Sequence, residues 1–447
     1  RRGPVGIVYL LGIGDYAGNV QATFTISQQV DSANSFTASI DDDVAYTYDG
    51  TAHEPGVTVQ ATLLGELQGY AAWWRRERTI YFDATVQRIA DAGTGIQRLE
   101  KEELKFLYGA DCAFKTVPFY FDGEGKGLFE CETGQQIAPQ PGDIIYSPDL
   151  SLLQTVANRA ELDRLHASGI KIWFFIHDLI PIHFPETCSD TLVAAFKEWL
   201  RVVFRYTGIV GNSKATIQDV KNWLAQNQAI QRSPGLLFEW VWSGCDFSSR
   251  SGIHPGSDTK DKLFQTETAT IRLLMVSTIE PRKMYDQAVK AFDLLRKRGV
   301  NVRLDIVGRE GWKVQETVRL IETSPNYQTS LFWHKGGIRD EELCSLYEQA
   351  DAVIFASKAE GFGLAITEGA YHKKPLILRD IPVFREIAGE GAFYFSGFDP
   401  EDLANAVEDW ISLFRAGKAP SSDGIHLTSW QEHGEKLLGI LTGEGSK

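Results

Sequence analysis

No apolar run approaches the roughly 20 residues that a membrane-spanning helix requires, so a helical span is not expected. Cysteine is scarce as well. Five residues (Cys112, Cys131, Cys188, Cys245, Cys344) lie scattered, with no CxxC spacing. An odd, dispersed set fits reduced cytosolic thiols better than a disulfide framework. Positive charge is in deficit, with 45 basic against 59 acidic residues and a formal charge of −14. Wrapping nucleic acid needs a basic footprint, so nucleic acid is not expected as a partner. A local basic patch against a membrane surface stays compatible with this balance. No His, Asp and Cys cluster has metal-site spacing, so neither a metal nor a cofactor is expected.

What is present suits a globular protein: 43% of residues are hydrophobic and 23% charged, enough for sizeable cores. A length of 447 residues suggests two or three domains. The texture changes near residue 78. Before it, "NVQATFTISQQV" and "GVTVQATLL" alternate polar and apolar residues with the period of strands. After it, apolar runs alternate with helical stretches, as in βαβ units around a parallel sheet. Strands are expected at 79–85, 170–176 and 207–211, and helices at 96–107, 152–168, 192–205 and 213–227. The polar, Gly- and Pro-containing stretch 248–268 reads as a linker. A second alternating unit follows, with a helix at 285–298 and strands in "IRLLMVS", "VRLDIVG", "DAVIFAS" and "KPLILRD". An amphipathic helix at 430–441 is expected to pack back on the first unit.

Two patterns are decoys, and the start of the chain is a third. "GIGDYAG" (Gly12, Gly14, Gly18) resembles a dinucleotide loop, but its spacing is GxGxxxG and strand-like sequence follows it. The fingerprint needs a helix N-terminus there to meet a pyrophosphate. "IDDDVAY" offers acids but lies in the β-rich leader. Arg1-Arg2-Gly3-Pro4 and the apolar residues after it imitate a signal peptide but lack a clean cleavage site.

The segment "SKAEGFGLAITEGAYHKKPLI" carries the chemistry. Glu360 and Glu368 have seven residues between them, beginning with Gly361-Phe362-Gly363-Leu364. A strand precedes this string and a helix follows it. Strand, glycine turn and helix N-terminus make an anion site: backbone N–H groups point outward, the helix dipole favours negative charge, and glycine admits phosphate oxygens closely. Glu360, in the turn, could accept hydrogen bonds from sugar hydroxyls, and Glu368, a turn into the helix, from ribose hydroxyls. Taken alone, the two glutamates read better as capping, solvated surface residues.

"EGFGLAITE" resembles the E-x7-E motif of glycosyltransferase family 4, usually EGFGLPxxE, with Ala365 in place of the common proline. The resemblance covers about residues 78–445 and is sharper in the second half. It implies an α/β fold of GT-B type: two Rossmann-like domains facing a cleft, at 78–250 for the acceptor and 268–427 for the donor, with a C-terminal helix at 428–445 crossing back. It further implies Glu360 on the donor sugar, Glu368 on the ribose, and the backbone between them on the diphosphate. "VSTIEPRKMYDQAVKAF" supplies Lys283, matching the lysine of the family's basic pair. The usual arginine falls at Thr278, leaving Arg282 as the available substitute. "IHDLIPIHFPE" places His177 at a strand's carboxyl end, as a sugar or transition-state contact, with Asp178 and His183 as weaker candidates. Gly95 and Arg98 of "TGIQR" and Gly308 of "VGREGW" are expected near the cleft; Gly311 and Trp312 share the latter loop.

What the resemblance implies functionally is a retaining hexosyltransferase, mannose or rhamnose type, working without a metal. Its partners would be a nucleotide-diphosphate sugar and a glycan or lipid-linked acceptor. The location would be cytoplasmic, with peripheral attachment to the inner face of the plasma membrane left open. The alternatives are an impaired nucleotide-sugar-binding protein and a GT-B sugar-nucleotide epimerase, which would need carboxylates inside the N-terminal cleft. Residues 1–70 stand apart. "GIVYLLGIGDYAGNVQATFTI" resembles the closing strands of a bacterial Ig-like repeat of the MBG type, and "AYTYDGTAHEPGVTVQ" its opening strands. The two are expected to pair as one permuted β-module, dispensable for donor binding; the alternative is a poorly packed leader draped on the enzyme.

Overall fold

The computed structural model describes residues 21–25, 35–40, 57–59, 78–89, 95–110, 112–245, 269–336 and 338–443. The chain divides into two compact units, 1–77 and 78–447. In the first, β1 (Gln21–Thr25), β2 (Ser35–Ile40) and β3 (Val57–Val59) form an antiparallel sheet with β2 in the middle. β1 falls in the first repeat-like fragment and β3 in the second, and β2, outside both, pairs with each. The glycine turn at 12–18, the acids at 41–43 and the linker at 248–268 lie outside the described residues.

The larger unit holds two sheets. The first runs β10-β9-β8-β7-β4-β5-β6, built from β4 (Arg78–Asp83), β5 (Phe114–Phe121), β6 (Leu128–Glu130), β7 (Ile144–Ser147), β8 (Lys171–Ile176), β9 (Gly208–Gly211) and β10 (Leu237–Trp240). Only β6 is antiparallel to its neighbour. The second runs β13-β12-β11-β14-β15-β16, from β11 (Ile271–Val276), β12 (Val302–Val307), β13 (Leu331–His334), β14 (Ala352–Phe355), β15 (Leu376–Arg379) and β16 (Phe393–Phe395), all parallel. Every residue of β7, β9, β14 and β15 is buried, as expected of strands covered on both faces.

Two expected elements differ. The strand at 79–85 stops at Asp83, because Asp83 Oδ1 accepts both the Thr85 backbone N–H (2.9 Å) and its hydroxyl, turning the chain into the helix Thr85–Ile89. The helix at 152–168 breaks at Asn158. Its side chain donates to Asp122 O (2.7 Å) and accepts from Gly127 N (2.9 Å), tying the break to the β5–β6 hairpin.

The helix Trp430–Thr442 opens with a capping box of Ser429 and Glu432. Its Leu437 and Leu441 are buried with Ile80 and Tyr146 of the first sheet. His433 bridges Glu103 Oε1 (2.8 Å) on the helix Gly95–Gly109 and Trp242 O (2.7 Å). A Cβ on Gly434 would sit 2.2 Å from the Phe106 ring, so glycine sets how closely the two helices approach. No helix among the described residues is long and apolar enough to cross a membrane.

Candidate active site

In an open parallel sheet, ligands bind beyond the carboxyl ends of strands where the winding reverses. In the second sheet that point lies between β11 and β14, flanked by loops 277–284 and 356–363. The loops are tied by Lys358 N donating to Arg282 O at 2.9 Å. Arg282 and Lys283 lie in the short 3-10 turn Pro281–Lys283, and Met284 in the left-handed region (φ 56°) starts the helix Tyr285–Lys297. Arg282 Nη1 lies 2.6 Å from Glu360 Oε2 and its Nε 2.9 Å from Glu280 Oε2, while Lys283 Nζ pairs with Glu360 Oε1. Burial works to raise the Glu360 carboxyl, but Arg282 and Lys283 outweigh it and hold it at about 2. Burial, then Arg282, lower the Lys283 ammonium. Burial also acts against the Arg282 cation, but Glu360, Glu280 and Asp178 together raise it above its ordinary value.

Gly363 (φ 97°) turns the chain into the helix Leu364–Tyr371. Phe362 is buried in the core beneath, so its backbone, not its ring, is left for a ligand. Gly361 lies against the first sheet: a Cβ there would be 2.0 Å from His177 O, and its carbonyl accepts from Ser213 Oγ (3.0 Å) and Thr216 Oγ1 (3.1 Å). Nearby, Glu386 accepts Lys214 N (2.8 Å), Ala215 N (2.7 Å) and Trp242 Nε1 (2.6 Å). A carboxylate of one half thus caps the helix Lys214–Gln226 of the other.

His177 is buried at the end of β8, with Nε2 2.8 Å from Pro148 O. A carbonyl only accepts, so Nε2 carries the proton. Burial brings the imidazole down to about 4, against the Pro148 hydrogen bond. At neutral pH the ring is therefore uncharged, with Nδ1 as an acceptor. Asp178 Oδ1 accepts from Ile180 N (2.9 Å), and burial raises its carboxyl. His183 pairs with Asp219 (3.0 Å) where both are exposed. Glu368 accepts from Tyr347 OH (3.3 Å) and lies 3.9 Å from Arg98 Nη1. Gly95 opens the helix of Arg98, and a Cβ on it would touch Leu364 Cδ1 at 3.4 Å. Gly308 packs where a Cβ would be 1.8 Å from Ser277 O, and Trp312 Nε1 donates to Thr187 O at 2.7 Å. Two groups emerge: Glu360, Arg282, Lys283, Gly361 and His177 on one side, and Glu368, Arg98, Gly95 and Leu364 on the other.

The sequence reading found no carboxylate pair in the first half. The structure brings three acids together at the first sheet's own reversal point, between β4 and β7. Asp83 Oδ2 accepts from Ser147 Oγ (2.6 Å) and Ser151 Oγ (2.7 Å). Burial raises its carboxyl, opposed by these hydroxyls. Burial, and then Asp149, push Glu100 up to about 10, while burial lifts Asp149 to about 6. The proton that Glu100 retains is shared with Asp149 in a side-chain hydrogen bond. These residues come from a strand, a helix and the loop after β7, so no local spacing announced them.

Two parallel-sheet α/β domains facing each other make this a GT-B fold. It is shared with a structure titled trehalose-6-phosphate from Escherichia coli bound with UDP-2-fluoro glucose (13% identity, 81% of this chain and 99% of that one, TM-score 0.55). It is also shared with sucrose-phosphate synthase from Thermosynechococcus elongatus (14% identity, 82% and 95%, TM-score 0.52). Residues 258–417 match the family model for Glycosyl transferases group 1. The chain is also similar to the serotype-specific mannosyltransferase WbdA of Escherichia coli, with 34% identity over 375 residues, covering 81% of this chain and 46% of that protein. It therefore spans about half the length of the curated relatives it matches.

Proposed function

We propose that the chain is a retaining, metal-independent glycosyltransferase. It moves a hexose, with mannose favoured by the likeness to WbdA over rhamnose, from a nucleotide-diphosphate sugar to a growing polysaccharide or lipid-linked glycan. The observation that carries this reading is the meeting of Arg282, Lys283 and Glu360 at the reversal point of the second sheet. Arg282, Lys283 and the N-terminus of the helix Leu364–Tyr371 stabilise the departing diphosphate. Glu360 accepts donor-sugar hydroxyls, Glu368 accepts ribose hydroxyls, and the neutral His177 offers Nδ1 to the sugar. The bond from the anomeric carbon to phosphate oxygen breaks as the bond to the acceptor oxygen forms on the same face. The leaving phosphate takes the acceptor's proton, so no protein nucleophile is assigned.

The test is a transfer assay with GDP-mannose, dTDP-rhamnose and UDP-sugars, each with and without EDTA. One donor is expected to turn over with retention and without an added metal. Glu360→Ala is expected to lower turnover by about a hundredfold while the chain stays folded. Wild-type turnover by Glu360→Ala would sink the site assignment, and strict dependence on added Mg²⁺ or Mn²⁺ would sink the metal-independent mechanism.

The buried acids Asp83, Glu100 and Asp149 favour a second reading, a sugar-nucleotide epimerase, since they hold raised carboxyl pKa values in the first domain. NMR of the nucleotide sugar incubated with enzyme and no acceptor separates the two: inversion at a ring carbon supports the epimerase, and an unchanged sugar excludes it.

A further inference from the structure

We propose that Glu360 is an internal competitor for the donor's diphosphate, and that this competition lets the site discriminate an intact nucleotide sugar from a bare nucleoside diphosphate. The inference rests on reading loops 277–284 and 356–363 as the donor site. Arg282 Nη1 lies 2.6 Å from Glu360 Oε2, Lys283 holds the other Glu360 oxygen, and Arg282 Nε lies 2.9 Å from Glu280. Both cations are therefore already compensated by carboxylates of the chain. A diphosphate arriving between the loops gains their full attraction only when Glu360 releases them.

That release has a consequence set by burial. The Glu360 side chain is 8% exposed, so the exchange takes place away from bulk water, where opposite charges attract strongly and an unpaired carboxylate is costly. A displaced Glu360 needs new hydrogen-bond donors. Asp178 and Glu280, the other acids acting on Arg282, offer none while ionised. Hydroxyls of a sugar carried on the diphosphate do. The intact nucleotide sugar thus replaces the interactions that its phosphates remove, whereas a bare diphosphate leaves the buried carboxylate with the Ser357 hydroxyl in place of two cations. After transfer the diphosphate has lost its sugar, and Glu360 returns to Arg282 and Lys283 and drives it out.

Calorimetry on the full chain tests this with UDP, GDP and their sugar conjugates, comparing wild type with Glu360→Gln after both are shown to melt alike. The glutamine variant is expected to bind the bare diphosphate about tenfold more tightly, although it transfers poorly. Its preference for the intact nucleotide sugar should shrink by about the same factor. Glu360→Ser, which also removes the charge, is used if the glutamine variant is unstable. Equal or weaker diphosphate binding by a folded variant, with wild-type binding intact, overturns the competitor role and leaves the donor-site reading standing. Failure of wild type to bind any of these nucleotides or nucleotide sugars overturns the donor-site reading, and the inference with it.

Discussion

The two sheets of the larger unit reverse their winding in the same way, yet the two reversal points carry opposite electrostatics. Between β11 and β14, Arg282 and Lys283 hold Glu360 ionised far below its ordinary range. Between β4 and β7, Glu100 and Asp149 face each other, and burial raises both. Fold alone therefore does not assign chemistry to a crevice. The second point, rich in paired charge, suits an anionic ligand. The first holds a proton on Glu100 at neutral pH and gains a negative charge, which repels a diphosphate, if that proton is lost. The contact of Gly361 with His177 O and Asn212 brings the carboxyl ends of the two sheets to one cleft.

The largest effect that can break this picture is expected from Gly361→Ala. The new Cβ would sit 2.0 Å from His177 O, a backbone atom that cannot rotate away, so the loop must back off from the first sheet. Misplacement of reacting groups by about 1 Å commonly lowers rate about a hundredfold. Turnover should fall on that scale with circular dichroism unchanged; unaltered turnover would mean the working enzyme does not close at Gly361. A smaller effect is expected from Glu386→Gln, which keeps the shape but removes the charge facing two helix N–H groups and the Trp242 indole. A loss of about 1 kcal/mol should appear as a roughly fivefold rise in donor KM, with kcat little changed. No change in KM would show that this contact does not hold the halves together.

The last effect concerns stability rather than turnover, at the acidic point. Glu100 stands at about 10 when folded, against an ordinary 4.5. The native state keeps a proton that the unfolded chain releases from about pH 4.5 upward. That stability is full below this range and is lost as pH rises through it toward 10. Glu100→Gln cannot release a proton, so its stability relative to wild type should improve from pH 5 to pH 9 by on the order of 2 kcal/mol. Denaturant titrations at the two pH values read this directly, and a constant difference would contradict the buried-acid account.

The two reversal points also differ in how far the sequence announced them. The E-x7-E string, its glycine turn and the Pro-Arg-Lys turn are short local patterns, and the structure puts Arg282 and Lys283 on Glu360 from 77 to 78 residues away. In the first domain the runs at 170–176 and 207–211 were visible as strands, but β5, β6, β7 and β10 were not marked. β5 alternates only partly and β6 is three residues long. The break at Asn158 depends on a hairpin 31 to 36 residues away, which helical periodicity cannot reveal. The Asp83, Glu100 and Asp149 cluster escaped for a similar reason: its members meet through tertiary packing, and each alone looks like an ordinary acid.

The central claim is that the charged crevice of the second sheet, not the acidic one of the first, binds the donor diphosphate. Calorimetry with the preferred nucleotide sugar on wild type, Lys283→Met and Asp149→Asn tests it most directly. The account predicts donor binding weakened at least about tenfold by Lys283→Met and unchanged by Asp149→Asn. Donor binding that survives Lys283→Met but is lost in a folded Asp149→Asn variant would contradict it.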